Sequence, residues 1–340
     1  MNKEKCTALI TGSAGFIGYF ISQTLLDEGW RVVGIDCISD YYDVGLKADR
    51  EARLIKSKNY RSVHAMIEGP QILAELFEEE RPDVVIHLAA QAGVRFSISN
   101  PRAYLETNIN GTFELLEAAR SYPPAHMLLA STSSAYGSNL RMPYLETDRA
   151  DHQMSFYAAT KKATESMAHS YAHLFDIPIT MFRFFTVYGP WGRPDMALFK
   201  FTKSILSGEP IDVYNSGNLK RDFTYIDDLV YAIKLLVDKV PARPLDGMVP
   251  SGDSLSPVAP FRSINIGNSS PVELINFIKA IEEAVGKKAI LNYMPMQAGD
   301  VEATWAETSL LKKLTGYTPK TQVNTGVADF VAWYKKYYNV

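Results

Sequence analysis

The sequence contains little cysteine, no long apolar run and no excess of basic charge. Among its 340 residues only two are cysteines, Cys6 and Cys37, which excludes a disulfide framework and predicts reduced thiols. No apolar run approaches the roughly 18 residues that a membrane-spanning helix requires. Because 35 Lys+Arg face 38 Asp+Glu, we do not expect a general nucleic-acid-binding protein. These absences predict a soluble cytoplasmic protein whose partners include neither nucleic acid nor membrane.

Short apolar runs alternate with amphipathic stretches through the first half of the chain. Runs rich in Val, Ile, Leu or Phe predict buried strands at residues 7–11, 31–36, 83–87, 127–131 and 179–184. Helices are predicted between them, at residues 16–27, 73–80, 103–120 and 156–175. This alternation predicts an α/β fold with a Rossmann-like, doubly wound parallel sheet.

A glycine motif follows the first predicted strand. It reads Gly12-Ser13-Ala14-Gly15-Phe16-Ile17-Gly18 and opens the first predicted helix. The first glycine permits a sharp turn, the second lets the backbone approach a pyrophosphate, and the third lets the helix pack closely on the sheet. The helix N-terminus adds amide groups and a positive dipole. The motif therefore predicts a dinucleotide site, although a structural turn is the alternative.

Asp36 ends the second predicted strand. A carboxylate there can accept hydrogen bonds from an adenosine ribose and would repel a 2′-phosphate, which favours NAD over NADP. At residues 64–69, where a further strand should end in a short acidic turn, the chain lacks the aspartate that we expect near Met66 to hold the adenine amino group. Glu68 or a backbone group is the alternative for that contact.

Tyr157 and Lys161 are spaced to share one face of a predicted helix. A phenol is a weak base at neutral pH, and a neighbouring ammonium lowers its pKa. The hydroxyl-rich loop that begins at Thr132, Ser133 and Ser134 follows the predicted strand at 127–131, at the sheet edge where ligands bind. Together these residues predict a site that removes a proton from an alcohol.

These motifs and several others identify a family. The further motifs are LAAQAGVR at 88–95, ETNI at 106–109, RFFTVYGP at 183–190, GRPDM at 192–196, RDFTYI at 221–226 and QAGDV at 297–301. The chain resembles the nucleotide-sugar epimerases of the extended short-chain dehydrogenase/reductase superfamily over nearly its whole length. Among them it is most similar to those that act on UDP-glucuronate.

The resemblance implies the cofactor, the reaction and the site residues. It implies NAD bound by Gly12, Ala14, Gly15, Phe16, Ile17, Gly18, Asp36, Leu88, Ala89, Ala90, Asn108, Tyr157 and Lys161. It implies catalysis by Tyr157 as base with Lys161, Thr132, Ser133 and Ser134. It implies contacts to a UDP-sugar from Arg95, Thr186, Arg193, Met196, Arg221 and Asp300, and no metal. The reaction would be 4-epimerisation through a transient 4-keto sugar.

Two features favour a uronate substrate. Arg193 offers a planar cationic fork, and Thr186 offers a short hydroxyl where related epimerases carry asparagine. The loop at 131–137 contains no acid, whereas related decarboxylases and dehydratases place acids there. A surface salt bridge is the alternative for Arg193, and Arg95 could contact phosphate or support its loop. Neutral UDP-glucose or UDP-N-acetylglucosamine remains the alternative substrate, and decarboxylation of UDP-glucuronate a further alternative reaction.

The resemblance also implies two lobes and a homodimer. We expect an NAD-binding domain at 1–185, rejoined by segments near 221–240 and 263–267, and a smaller α/β sugar-nucleotide lobe at 186–340. The helices at 103–120 and 156–175 would pair in the dimer. His169 and His173 have a metal-binding spacing, but a helix surface or dimer face is the preferred interpretation. The proline-rich stretch 241–260 predicts a long loop, either a lid over the sugar or a surface excursion. A binding protein without turnover is the rival function, and the intact set of catalytic residues argues against it.

Overall fold

The apolar runs of the sequence form the strands of a parallel sheet in the computed structural model, which describes residues 6–297 and 299–340. In chain order the elements are β1 (Thr7–Thr11), α1 (Phe16–Asp27), β2 (Arg31–Asp36), α2 (Val44–Leu54), β3 (Tyr60–His64), α3 (Ile72–Glu80), β4 (Val84–His87), α4 (Phe96–Ser99), α5 (Pro101–Tyr104), α6 (Gly111–Ser121), β5 (His126–Thr132), α7 (Phe156–Phe175), β6 (Ile179–Phe184), β7 (Thr186–Tyr188), α8 (Ala197–Ser207), β8 (Pro210–Tyr214), β9 (Lys220–Tyr225), α9 (Ile226–Val237), β10 (Phe261–Ile266), β11 (Pro271–Glu273), α10 (Leu274–Val285), β12 (Ile290–Met294), α11 (Ser309–Thr315) and α12 (Val323–Tyr338). Ala298, part of one sequence motif, lies outside the described residues.

Seven strands pair in the order β10-β6-β5-β4-β1-β2-β3, and each neighbouring pair is parallel. The strand order reverses between β1 and β4, and a ligand crevice is expected at such a switch point. The predicted doubly wound α/β fold is confirmed. The physical reason is that these strands carry apolar side chains on both faces of the sheet. Both faces are buried only when helices pack above and below it.

Two apolar cores cover the two faces of this sheet. One face packs against α3, α6 and α7, through residues such as Phe77, Leu115 and Ala168. The other face packs against α1 and α9, and its core continues into the C-terminal lobe through Phe277 and Phe330. The second lobe is thus joined to the first by a shared core.

The smaller C-terminal lobe is built on two short sheets. One has the order β11-β9-β7, and the other pairs β12 with β8. The segment 263–267 largely returns to the large sheet as part of β10, whereas β9 belongs to the small sheet and only its following helix, α9, packs on α1.

The helix predicted at 103–120 differs in the structure. It divides into α5, a π-helical turn at Leu105–Asn110, and α6. A π-helical turn widens the backbone by one residue and is frequent near functional sites. The sequence analysis also did not include α2, whose residues contact both lobes as described below.

The segment 241–260 lies against the C-terminal half of α7. His169 Nε2 bonds to Ser256 Oγ at 2.8 Å, and His173 Nδ1 bonds to the Val258 carbonyl at 2.7 Å. Arg243 reaches the carbonyl of His173 at 2.7 Å. The residues of 241–260 do not line the cavity described below, so the lid interpretation is wrong. The two histidines therefore contact this loop from the surface of α7, and their part in a dimer face stays a prediction.

A search of residues 6–297 and 299–340 finds no helix with the length and apolar character needed to cross a membrane.

Candidate active site

One large cavity opens at the carboxyl ends of the parallel strands and continues between the two lobes. Its volume is about 1250 Å³, larger than the roughly 300–1000 Å³ typical for one small ligand. It therefore has room for two ligands end to end. Residues of the glycine motif line one part, and residues of the C-terminal lobe line another.

The glycine motif forms a close backbone cradle at the N-terminus of α1. Gly12 has φ +72°, and a Cβ there would lie 2.8 Å from the Ala89 nitrogen. A Cβ on Gly18 would lie 2.0 Å from the Gly12 carbonyl oxygen. No side chain caps α1 at Gly15, so its first amides can serve an anion. Gly12, Gly15, Phe16, Ile17 and Gly18 all line the cavity. The cradle and its donors fit the pyrophosphate of NAD.

Asp36 lies in the cavity at the end of β2 and organises the loop beside it. Its Oδ2 accepts a hydrogen bond from the Ala14 amide at 3.1 Å, and its Oδ1 accepts one from the Ile38 amide at 2.8 Å. Carboxylate oxygens keep further lone pairs, so Asp36 can still receive ribose hydroxyls. Ala14 itself is buried and does not line the cavity. Its amide is used by Asp36, and its contact with the cofactor stays a prediction.

The adenine end has Glu68 in the cavity wall. Ile67 and Glu68 line the cavity, whereas Met66 is largely exposed to solvent. The hydroxyl of Thr107 donates to Glu68 Oε1 at 3.5 Å. Glu68 is therefore placed where it could replace the aspartate that the sequence lacks.

Tyr157 and Lys161 lie one turn apart on α7 and both line the cavity, together with Thr132, Ser133 and Ser134. Burial raises the pKa of Tyr157, and the side chain of Thr132 and the charge of Arg193 oppose that rise only in part. Burial lowers the pKa of Lys161 to about 8, against the opposing effect of Glu165. At neutral pH the ammonium of Lys161 is therefore still mostly charged.

Asn108 occupies the π-helical turn and supports the loop that follows β4. Its amide group donates to the Gln91 carbonyl at 3.1 Å and to Thr160 Oγ1 at 3.0 Å, and its Oδ1 accepts from the Gln91 amide at 2.8 Å. Asn108 is buried and does not line the cavity. Its hydrogen bonds support the loop that carries Leu88, Ala89 and Ala90, which do line the cavity, and its contact with the cofactor stays a prediction.

Arg193 points its planar group at Asp195 within the cavity. Its Nε donates to Asp195 Oδ1 at 2.9 Å, and its Nη2 donates to Oδ2 at 2.5 Å. Burial alone would lower the pKa of Arg193, but the Asp195 carboxylate raises it above its usual range. The predicted alternative of a salt bridge is thus present, but inside the cavity rather than on the outer surface. Thr186 and Met196 line the same region.

Three further predicted residues meet at the other end of the cavity. Arg95 Nη2 donates to Asp300 Oδ2 at 3.3 Å, and its guanidinium lies 4.8 Å from the centre of the Tyr214 ring. Arg221 donates to the carbonyls of Lys220 and Glu302 at 2.9 and 3.2 Å. Arg95, Arg221, Asp300 and Tyr214 line the cavity. Two cationic side chains and one carboxylate at this end are therefore available to a nucleotide.

Several cavity residues were not found by the sequence analysis. They include Tyr41, Lys47, Lys200, Ile211 and Tyr214. The adjacent tyrosines at 41 and 42 were the signal that the sequence offered for Tyr41. The others come from elements whose place near the cavity depends on how the second lobe packs.

Comparisons with known proteins place the chain among sugar-nucleotide enzymes. A sequence model of the NAD dependent epimerase/dehydratase family matches residues 8–246. A "Probable UDP-glucuronate 4-epimerase" of Rhizobium meliloti (strain 1021) is 53% identical over 332 residues, 97% of each chain. The Bacillus cereus UDP-glucuronic acid 4-epimerase, solved with UDP-glucuronic acid and NAD, is 31% identical with a TM-score of 0.87, covering 98% of this chain and 100% of that one. The UDP-glucose 4-epimerase of Thermotoga maritima, solved with UDP-glucose, is 28% identical with a TM-score of 0.85, covering 98% and 99%.

Proposed function

This chain belongs to the NAD dependent epimerase/dehydratase family, and from that premise we propose that it interconverts UDP-glucuronate and UDP-galacturonate. The reaction inverts C4 of the sugar through a transient 4-keto intermediate. The relative and the solved structure named for UDP-glucuronate support this substrate. The resemblance drawn from the sequence motifs is confirmed, and so is the dependence on NAD.

The observation that carries the substrate assignment is that Arg193 and Tyr157 line the same cavity. The charge of Arg193 acts there to lower the pKa of the Tyr157 phenol, against the larger effect of burial, which raises it. A uronate carries its carboxylate on C5, next to the C4 from which Tyr157 would take a proton. A permanent cation beside the base therefore fits a carboxylate there, and the guanidinium fork binds such a group at two points.

Three side chains, those of Tyr157, Thr132 and Lys161, take part in the proposed proton transfer. The phenol oxygen of Tyr157 takes the proton of the C4 hydroxyl and returns it after the ketone has presented its other face. We assign the sharing of that proton to Thr132, which lines the same cavity as Tyr157 and acts to lower the pKa of its phenol. The charged ammonium of Lys161 favours the phenolate. What NAD supplies when bound is reversible acceptance of the hydride at C4.

The site must also keep the 4-keto uronate from losing carbon dioxide. Its carboxylate is β to the ketone, and carbon dioxide leaves as a neutral molecule. Charge-assisted hydrogen bonds from Arg193 would be lost in that step, so they hold the carboxylate in place. Ser133 and Ser134 line the cavity in a loop without an acid, which also favours plain epimerisation over decarboxylation.

A second candidate is epimerisation of neutral UDP-glucose or UDP-N-acetylglucosamine. The observation that favours it is the bidentate pair between Arg193 and Asp195, which already satisfies the cation. A uronate would have to displace Asp195 or share Arg193 with it.

The remaining site assignments belong to the same proposal. We assign the pyrophosphate of NAD to the glycine motif, its ribose to Asp36, and the nicotinamide end to Tyr157 and Lys161. The UDP part falls to Arg95, Arg221 and Asp300. Thr186 and Met196 would contact the sugar, since they line the cavity beside Arg193.

We further propose a homodimer that pairs α6 and α7 across a two-fold axis. Large apolar side chains on these helices are exposed, namely Phe113, Phe156, Leu174 and Phe175. An apolar surface of this kind is typical of an interface. The cytoplasmic location stays a prediction from the low cysteine content.

The test of the proposed function is direct. The purified protein is incubated with UDP-glucuronate and NAD, and the products are identified by NMR. We expect UDP-galacturonate and little UDP-pentose. The absence of UDP-galacturonate together with turnover of UDP-glucose would select the second candidate. A Tyr157→Phe variant should keep bound NAD and lose turnover by about 10²–10⁴-fold.

A further inference from the structure

Arg50 is a fully buried cation on α2 that connects two functional segments. Its Nη1 donates to the Ala14 carbonyl at 3.0 Å and to the Tyr42 hydroxyl at 2.9 Å. Its Nη2 donates to the Trp191 carbonyl at 2.5 Å. The Nε of Arg50 is buried without a hydrogen-bond partner among the described residues. Burying a guanidinium whose acceptors are neutral oxygens costs folding free energy. A functional role for Arg50 between the two segments would explain why this cost is tolerated.

The segment at 191–195 is fastened to the region around α2 at two more points. The guanidinium of Arg53 lies 4.6 Å from the centre of the Trp191 ring. The hydroxyl of Tyr41 donates to Asp195 Oδ2 at 3.4 Å. Trp191 itself has φ +61°, a left-handed conformation that a bulky residue adopts only when its surroundings hold it.

This segment carries Arg193. The Trp191 carbonyl that Arg50 holds lies two residues before Arg193, and the Asp195 that Tyr41 holds lies two residues after it. A guanidinium fork recognises a carboxylate by geometry as well as by charge. A shift of about 1 Å in such a group is enough to weaken recognition strongly.

We propose that Arg50 is a positioning residue for uronate recognition, holding the 191–195 segment so that Arg193 faces the sugar carboxylate. This inference rests on the proposed function. The same guanidinium also donates to the Ala14 carbonyl in the glycine motif. Arg50 therefore contacts both the proposed cofactor-binding loop and the 191–195 segment that carries Arg193. Arg50 does not line the cavity and acts only through Arg193.

The experiment measures binding in a Tyr157→Phe background, where turnover is too slow to disturb the measurement. NAD is kept at a saturating concentration, so that weaker binding of NAD to a variant does not affect the result. Calorimetry gives the Kd of UDP-glucuronate and of UDP-glucose for Arg50→Gln and Arg50→Lys. We expect UDP-glucuronate to bind about tenfold more weakly with Gln, the size of one charge-assisted hydrogen bond, and UDP-glucose to change by less than about twofold. Lys, which can reach one acceptor at a time, should fall between.

Arg53→Gln is the matched control on the same helix. Arg53 lies against the Trp191 ring and, among the described residues, donates no hydrogen bond to the backbone of 191–195, so the selectivity should change less than with Arg50→Gln. In an Arg193→Ala background, Arg50→Gln should lower the uronate preference no further, because the two residues act as one unit. Equal weakening of both nucleotides, or a full further loss in the Arg193→Ala background, would overturn the proposal.

A second variant keeps the test decisive if the Arg50 variants do not fold. Tyr42→Phe removes one of the three hydrogen bonds of Arg50 and changes no charge. A selective loss of UDP-glucuronate binding, smaller than with Arg50→Gln, supports the proposal, and an unchanged or equal effect on both nucleotides overturns it. Failure of the proposed function looks different, because Arg193→Ala alone would then leave the preference between the two nucleotides unchanged.

Discussion

Glu165 and Arg183 form a bidentate ion pair inside the protein, with Nε to Oε1 at 2.9 Å and Nη2 to Oε2 at 2.8 Å. Each side chain is only 4% exposed. Glu165 lies on α7, one turn beyond Lys161, and Arg183 lies on β6. Ser131, at the end of β5, donates to Glu165 Oε1 at 2.7 Å. The pair therefore fastens the helix that carries the proposed base to the sheet beneath the catalytic loop.

Glu165→Gln should destabilise the protein by about 3–5 kcal/mol, because it leaves the Arg183 guanidinium buried without its counter-charge. Urea unfolding followed by circular dichroism measures this. The matched control is Lys162→Gln, which removes the partly exposed partner of Glu165 at 3.2 Å and should cost less than about 1 kcal/mol. Equal decreases in the free energy of unfolding for the two variants would contradict the claim that Arg183 is the main partner of Glu165.

The same pair predicts a pH dependence of stability. Burial alone raises the pKa of Glu165, but Arg183, Lys162 and Ser131 lower it to about 2. A depressed carboxyl pKa contributes stability that is present above the ordinary value near 4.5 and is lost as the pH falls toward about 2. The difference in unfolding free energy between wild type and Glu165→Gln should therefore shrink from pH 7 to pH 3. A constant difference would argue against this linkage.

Thr132→Val should move the pH profile of turnover to higher pH. Burial raises the pKa of Tyr157, and the polar side chain of Thr132 acts to lower it. Without the Thr132 hydroxyl, the phenol loses its proton at higher pH, so the pH of half-maximal kcat rises. The control is Thr164→Val, which removes a hydroxyl that bonds to the Lys161 carbonyl within α7 and should leave the profile in place. A wild-type profile for Thr132→Val would remove Thr132 from the proton transfer.

Arg193→Ala should lower kcat/KM for UDP-glucuronate by roughly 10–150-fold, the value of a hydrogen bond to a charged group. Turnover of UDP-glucose should fall far less, since that sugar has no carboxylate. Arg95→Ala is the comparison, because Arg95 lies with Asp300 at the nucleotide end and its loss should affect both substrates alike. If Arg193→Ala reduced kcat/KM equally for UDP-glucuronate and UDP-glucose, the assignment of Arg193 to the sugar carboxylate would be wrong.

Phe113→Glu with Leu174→Glu should convert the proposed homodimer into monomers, because two charges would be buried in an apolar interface. Light scattering after gel filtration gives the mass. Ile290→Glu serves as the control, since Ile290 is equally apolar and exposed but lies on β12 in the other lobe. A double variant that remains dimeric would place the interface elsewhere.

The local elements could be predicted from the sequence because their causes are local. The bounds predicted at 7–11, 16–27, 31–36, 156–175 and 179–184 coincide with β1, α1, β2, α7 and β6. Apolar runs of strand length and helical periodicity depend on neighbouring residues alone. The glycine motif likewise defines its turn by its own backbone freedom, as the positive φ of Gly12, +72°, shows.

The sequence by itself therefore determined the strand and helix pattern, the cofactor cradle and the presence of Tyr157 and Lys161 on one helix face. Only the tertiary structure decided that Asp195 fills the fork of Arg193, that Asn108 supports a loop, and that 241–260 is no lid. It also decided that Arg50 reaches Trp191, 141 positions along the chain. These contacts join residues from separate elements, and no local pattern specifies which distant partner a buried polar group will find when the two lobes pack together.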